Sequence, residues 1–315
     1  MILFSAMYFS SFHIIMSSDD WFMIWVGLEV NMMMFIIIIY QRYSAVNLES
    51  CMKYFFIQSL GSGLFMGMFY MQMNSMNTVM CMVMSYKMGA GPFYFWFPSM
   101  CGGISWLSCF LLMFFQKIIP LMMMSIFICW SIFLIGFISL LMGVIGSFNQ
   151  RDFKYLVAYS SIYHLGWILL CLINGELYWV NYLLMYGFLI YPLIFFFSNM
   201  LMDDLLSTIK IKKKYWMIIL ILSMAGMPPF LGFFLKWFAF SNIISVSFFF
   251  SVILVIFSVI MFYVYFRIIY DVLINYCNYS KWMIWSMMKE KKFWLDMISG
   301  LGLLLGILIS FYIMF

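Results

Sequence analysis

Five ionisable side chains stand inside apolar stretches of this chain: Glu29 in WVGLEVN, Lys87 in SYKMGAGP, Lys117 in FFQKIIP, His164 in YSSIYHLGW and Lys236 in LGFFLKW. A lysine at the centre of a hydrocarbon layer costs about 3 kcal/mol on insertion scales, so such groups face a polar interior rather than lipid. Burial disfavours the charged form of a lysine or a carboxylate, and pairing with the opposite charge favours it. A lysine balanced between these effects changes charge state when its partner moves. Glu29, Lys87, Lys117 and Lys236 therefore have the chemistry of a proton relay. His164 is a further candidate, because an imidazole can carry protons or simply bond a neighbouring helix. The rival reading is structural: snorkelling or neutral lysines and a carboxylate that glues helices.

Two of the lysines adjoin backbone breakers. Lys87 precedes Gly89, Gly91 and Pro92, and Lys236 follows Gly226, Pro228, Pro229 and Gly232. Irregular backbone at membrane depth survives only against protein or water, and each break frees carbonyl and N–H groups to bind water or an ion. Interrupted segments at matching places in two halves point to an inverted-repeat transporter.

The elements that hold these residues follow from composition. The chain has 315 residues, is 67% hydrophobic and 9% charged, and has a mean hydropathy of +1.07. A soluble domain averages about 25% charged residues, which excludes a soluble fold. The apolar runs are continuous, without the alternation of barrel strands, so the expectation is an all-α polytopic membrane protein. At roughly 20 residues per crossing, the sequence predicts eleven transmembrane helices. They run approximately Met1–Met16, Trp21–Tyr40, Cys51–Met73, Thr78–Phe97, Ile104–Met124, Ile126–Gly146, Tyr155–Ile173, Leu177–Leu201, Tyr215–Phe240, Ile244–Tyr270 and Phe293–Phe315. The fourth and ninth are the broken ones. Their offset of five inverts topology, giving inverted five-helix repeats, each with a discontinuous helix. The single membrane domain, 1–315, then divides into a first repeat at 1–125, a second at 126–271, and a loop with the C-terminal helix at 272–315.

Charge tests the count. Twelve of the sixteen basic residues fall in loops after even-numbered crossings or, for Lys53, at the adjoining end of the next crossing: Arg42, Lys53, Arg151, Lys154, Lys210, Lys212, Lys213, Lys214, Lys281, Lys289, Lys291 and Lys292. The positive-inside rule then puts the N-terminus on the cytoplasmic or matrix face and the C-terminus opposite. The net charge of +5 thus sets orientation, and no nucleic-acid partner is expected. IKIKKK at 209–214 suits an anionic lipid such as cardiolipin, or serves only as an anchor.

Other features imply less. The N-terminal stretch has neither the positive region nor the cleavage site of a signal peptide. Seven scattered cysteines without a CxxC indicate neither a metal site nor a disulfide framework, and read as packing residues. Gly61-Ser62-Gly63 reads as a helix-packing signal at most. Arg267 and Asp271 have the spacing of an intrahelical ion pair. The aromatic residues are expected mainly at the lipid face and the interfaces.

WVGLEVN, SYKMGAGPFYFWFP, FFQKIIPL, GSFNQRDFKYLVAYSSIYHLGW and AGMPPFLGFFLKW, in this order and spacing, resemble the chain 2 family of mitochondrial NADH:ubiquinone oxidoreductase, antiporter-like membrane subunits of respiratory complex I. The likeness covers nearly the whole length. It implies a version shortened by three N-terminal helices, lying in the mitochondrial inner membrane. It also implies a non-redox core subunit coupling electron transfer from NADH to ubiquinone to proton translocation. Glu29 and Lys87 would form the coupling pair, Lys117 the central relay lysine, and Lys236 the lysine toward the outer exit. No cofactor is implied in this chain, while the whole complex uses FMN, iron–sulfur clusters and ubiquinone. The implied partners are other membrane-arm subunits. Thirty-five methionines against six alanines fit an AT-rich organelle gene whose code reads AUA as Met. Three positions depart from the family's pattern: Tyr94 where a histidine is common, Ser99 where a glutamate is usual, and Leu235 where a proline precedes the lysine. The alternatives are a stand-alone cation/proton antiporter of the same fold and a purely structural segment.

Overall fold

The computed structural model describes residues 2–41, 44–71, 76–174, 178–200, 214–228, 230–244 and 248–279. Arg42, Pro229, the basic residues at 210, 212 and 213, those from 281 to 292, and the eleventh expected crossing lie outside them. The described residues fold into α1 (Ile2–Ser17), α2 (Trp21–Ile39), α3 (Ala45–Met71), α4 (Met76–Met88), α5 (Trp96–Gly103), α6 (Trp106–Met113), α7 (Phe115–Ile126), α8 (Trp130–Ser147), α9 (Phe153–Asn174), α10 (Tyr178–Met200), α11 (Lys214–Ala225), α12 (Leu231–Ile244) and α13 (Phe248–Tyr279). Six helical stretches among them are long and apolar enough to cross a membrane: Trp21–Ile39, Trp106–Ile126, Trp130–Ser147, Phe153–Ile173, Tyr178–Asn199 and Phe250–Leu273.

The fourth and ninth apolar stretches are interrupted, the former between α4 and α5 and the latter between α11 and α12. A third interruption, at Phe114, divides α6 from α7 in a stretch that reads as uniform by hydropathy. Pro120 lies farther on, inside α7, where it has no N–H to bond back to Gln116.

The chain forms two compact units. The first takes residues up to 143 together with 157–173. Its core helix is α9, where every residue from 160 to 172 is buried, as befits a helix that is apolar all round. Small residues let neighbours approach it. A side-chain carbon at Gly143 would lie 2.7 Å from the Tyr163 backbone nitrogen, and one at Gly166 would lie 2.7 Å from the Ser139 hydroxyl. Where lipid gives no hydrophobic drive between helices, such close backbone packing holds them together. Polar threads add to it. Asn31 donates to the Ser11 hydroxyl at 3.1 Å, joining α2 to α1, and Asn47 donates to the Gly103 carbonyl at 3.3 Å, joining α3 to α5.

The second unit takes residues 144–156 and those from 174 onward, and α10 to α13 pack within it. Gly232 crosses directly over the Ser223 carbonyl and leaves no room for a side chain. The expected Arg267–Asp271 ion pair is not formed. Arg267 instead donates to the Phe148 carbonyl at 3.4 Å, at the end of α8, where a cation also meets the negative end of the helix dipole. The aromatics divide between the two environments. Tyr8, Tyr54, Phe65, Phe97, Tyr163, Trp167, Tyr182 and Tyr186 are among the largest fully buried side chains, whereas Tyr70, Phe95, Trp130 and Tyr215 are exposed. Buried rings and branched aliphatics such as Ile132, Leu140, Leu165 and Ile190 fill the core together.

Candidate functional site

One face of α3 organises the first two candidates. Gln58, Gly61 and Ser62 stand at i, i+3 and i+4, and so share a face. The Ser62 hydroxyl donates to a Glu29 carboxylate oxygen. At Gly61 an added side-chain carbon would fall 2.8 Å from Cγ and 2.9 Å from Cε of Lys87, so the lysine stem occupies the space that glycine leaves open. Gln58 donates to the Lys87 backbone carbonyl at 2.9 Å. Glu29 on α2 lies within electrostatic reach of Lys87 on α4. Among the described residues no direct ion pair joins them; the α3 face stands between and holds both. A cavity of about 20 Å³ beside Lys87 is lined by Asn31, Tyr54, Gln58 and Gln116 together with the apolar Leu28, Met32, Ile119 and Pro120. That volume admits a water molecule with polar partners on several sides.

The break after Lys87 is a closed helix terminus. Gly89 takes the left-handed conformation (φ 70°), the Ala90 N–H bonds the Ser85 carbonyl at 3.0 Å, and the Gly89 N–H bonds the Tyr86 carbonyl at 3.3 Å. This is a Schellman ending, and only glycine adopts it without strain. The Trp96 indole N–H also reaches the Tyr86 carbonyl, at 3.2 Å. The carbonyls of Ser85, Tyr86 and Lys87 are thus taken up by protein donors, which corrects the expectation that this break leaves them for water or an ion. Gly91 presses on the α8 backbone, with an added carbon 2.7 Å from the Ser139 nitrogen. The Gly91–Pro92 peptide is cis, and Pro92 is exposed.

Lys117 is 1% exposed. Its ammonium donates to the Ser161 carbonyl of α9 at 3.0 Å and lies 5.2 Å from the centre of the Phe97 ring. A carbonyl and an aromatic face both favour a cation in an apolar core. Phe97 owes its place to the break: Gly89 packs against it, with 2.9 Å to the Phe97 Cβ from an added carbon. His164 is buried on α9 three residues beyond Ser161, its ring edge-on to Tyr163 at 5.5 Å.

Lys236, in the second unit, has a comparable setting. Gly226 ends α11 in the left-handed conformation (φ 83°), and the Leu222 carbonyl accepts from the Gly226 N–H at 3.1 Å and the Met227 N–H at 3.4 Å. The Lys236 ammonium reaches back from α12 to the Ala225 carbonyl at 2.7 Å. It therefore sits at the negative end of the α11 dipole. Pro228 is exposed at this turn.

The three departures from the family pattern take local roles. Tyr94 stacks on Phe95 at 4.2 Å, the Ser99 hydroxyl bonds its own helix at the Trp96 carbonyl, and Leu235 is buried. Gln58 is the residue that sequence reading passed over, and Ser62 was read only as part of the Gly61-Ser62-Gly63 packing signal. Their signal was a Gln and a Ser one turn apart in the middle of α3, on the face of Gly61.

Broken helices capped by left-handed glycines, each with a lysine at the break, define an antiporter-like membrane protein, and the comparisons agree. Residues 18–79 and 71–261 match the family described as NADH:quinone oxidoreductase/Mrp antiporter, TM. The fold is similar to a chain of respiratory complex I from Thermus thermophilus with bound aureothin, with a TM-score of 0.79 at 20% identity, covering 98% of this chain and 78% of that one. The chain is also 34% identical over 287 residues to NADH-ubiquinone oxidoreductase chain 2 of Anopheles gambiae, covering 85% of this chain and 84% of that protein. It is 35% identical over 328 residues to the corresponding chain of Locusta migratoria, covering 96% and 95%. The chain belongs to the NADH-ubiquinone oxidoreductase chain 2 family.

Proposed function

We propose that this chain is a membrane-arm, antiporter-like subunit of the proton-translocating NADH:ubiquinone reductase, moving protons without carrying a redox centre itself. FMN, iron–sulfur clusters and ubiquinone belong to the rest of the complex. The observation that carries the reading is Lys117, a lysine sunk in an apolar core with the Ser161 carbonyl and the Phe97 ring beside its amine. A charged group is retained in such a place for function.

In this mechanism Glu29 and Lys87 respond first. Ser62 fixes the carboxylate, and the Gly61 notch fixes the lysine stem. A change in the charge or position of either alters the field on the other and so biases the proton carried by Lys87. The water-sized cavity that Lys87, Asn31, Gln58 and Gln116 help to line offers an exchange point. Lys117 and Lys236 then act as successive proton carriers, with a backbone carbonyl accepting from each, Ser161 for Lys117 and Ala225 for Lys236. His164 is assigned an auxiliary role in the relay.

The remaining topology belongs to the same proposal. It comprises eleven crossings, two inverted repeats meeting near residue 125, residence in the mitochondrial inner membrane, the N-terminus in the matrix and the C-terminus in the intermembrane space. Other membrane-arm subunits are the partners, with anionic lipid such as cardiolipin at the basic loop. A stand-alone cation/proton antiporter is the second reading, favoured by the inclusion of Mrp antiporters in the matched family. A native gel of gently solubilised membranes, stained for NADH oxidation and probed for this chain, separates the two. Co-migration with the large NADH-oxidising band is the expected outcome. Migration in a small, NADH-inactive band would transfer the assignment to the antiporter.

A further inference from the structure

Two of the cysteines meet. The Sγ atoms of Cys81, in the second turn of α4, and Cys129, in the non-helical stretch between α7 and α8, lie 3.2 Å apart across 48 residues of sequence. The Cys129 thiol donates to Cys81, which donates in turn to the Phe127 carbonyl at 3.1 Å. The Ser131 hydroxyl stands 2.8 Å from the Cys129 sulfur, and the Asn77 carbonyl lies 3.7 Å away. Cys81 is fully buried, whereas Cys129 is partly exposed. Both thiols are free in this structure.

We propose that Cys81 and Cys129 form an oxidisable dithiol, a redox modification site that closes to a disulfide under peroxide. The proposal rests on this geometry and stands apart from the proton-relay reading. A disulfide needs a sulfur–sulfur distance of about 2.05 Å, so the two atoms must close by about 1.2 Å. Cys129 immediately precedes α8 and its carbonyl accepts from the Ile132 N–H at 3.1 Å, so the closure falls on side-chain rotation and on the short non-helical stretch before it.

The exposure difference assigns the roles. Hydrogen peroxide or an organic hydroperoxide reaches Cys129 first, its thiolate sulfur displacing water or alcohol from the peroxide to leave a sulfenic acid. Ser131 is placed to hydrogen-bond the sulfenic oxygen. The Cys81 sulfur then attacks the Cys129 sulfur and expels water, forming the S–S bond. The peroxide gains two electrons and the two thiols lose them; with hydrogen peroxide, two water molecules result. The bond tethers α4, six residues before Lys87, to the chain that follows α7, the helix of Lys117.

The test uses membranes in which the assembled protein is native. They are exposed to hydrogen peroxide, blocked with N-ethylmaleimide, denatured, digested without reductant and mapped by mass spectrometry. The expected result is a cross-linked peptide pair containing Cys81 and Cys129, with joint loss of maleimide labelling at both and recovery of both after dithiothreitol. Labelling of both thiols after peroxide, oxidation of Cys129 without a link, or a link from Cys129 to another cysteine would overturn the proposal. Cys81→Ser gives a second measurement: without its resolving partner Cys129 is expected to accumulate sulfinic acid. Oxidation state unaltered by that substitution would count against the pair. If the variant fails to assemble, the cross-link map of the native protein decides alone.

Discussion

A single glycine and a single hydroxyl decide how the charged pair of this protein is held. Gly61 admits the Lys87 stem and Ser62 holds Glu29, so substitutions on α3 are expected to act on groups they never replace. Ser62→Ala removes a hydrogen bond to a charged group, an interaction worth roughly 1.5–3 kcal/mol. Vesicles carrying the assembled complex are expected to acidify more slowly with the variant while NADH oxidation persists; an unchanged rate would reduce Ser62 to packing. Gly61→Val is expected to be more severe, because its side chain must displace Lys87. Gly63→Ala supplies the contrast, since nothing lies within 4 Å of a carbon added there, and it should leave acidification intact. The ionisable residues were legible in the sequence because charge in an apolar run is rare. Gln58 and Ser62 were not, because a polar residue in a membrane helix declares its partner only when the neighbouring helix is in place.

The helix breaks show what glycine and proline do when a helix must stop inside a membrane. Proline marks the region, but the left-handed glycine ends the helix, at φ 70° for Gly89 and φ 83° for Gly226. A non-glycine residue in that conformation costs roughly 1–2 kcal/mol. Gly226→Ala adds pressure on the Lys236 ammonium, 3.0 Å from the new carbon, and Gly89→Ala adds pressure on Phe97. Both are expected to lower the thermal unfolding midpoint of the solubilised complex. Gly67→Ala, mid-helix with open space around it, is expected to hold or raise the midpoint, since alanine favours the helix by about 1 kcal/mol. Equal midpoints for all three would contradict the capping account. These two breaks were readable from Gly and Pro. The interruption at Phe114 was not: no Gly or Pro stands beside it, and Pro120 lies inside α7. Composition likewise could not separate the buried aromatics from the exposed ones, because it carries no information on which side of a helix meets a neighbour.

At the scale of the whole molecule, the chain pairs a highly apolar exterior with a few cations that lipid would reject, and each described relay lysine has a polar anchor. Lys117 holds Ser161, Lys236 holds Ala225, and the Lys87 carbonyl takes Gln58. Hydropathy was sufficient to read a helical membrane protein, while the anchors depend on tertiary placement that no local pattern encodes. The central claim is that Lys117 carries protons. The measurement that bears on it most directly is the number of protons moved per electron in vesicles holding the complex with Lys117→Met, which keeps the bulk and removes the charge. The account expects NADH oxidation to continue with fewer protons translocated per electron, and Glu29→Gln to behave alike. An undiminished ratio in both variants would contradict it and leave the lysine a structural bond between α7 and α9.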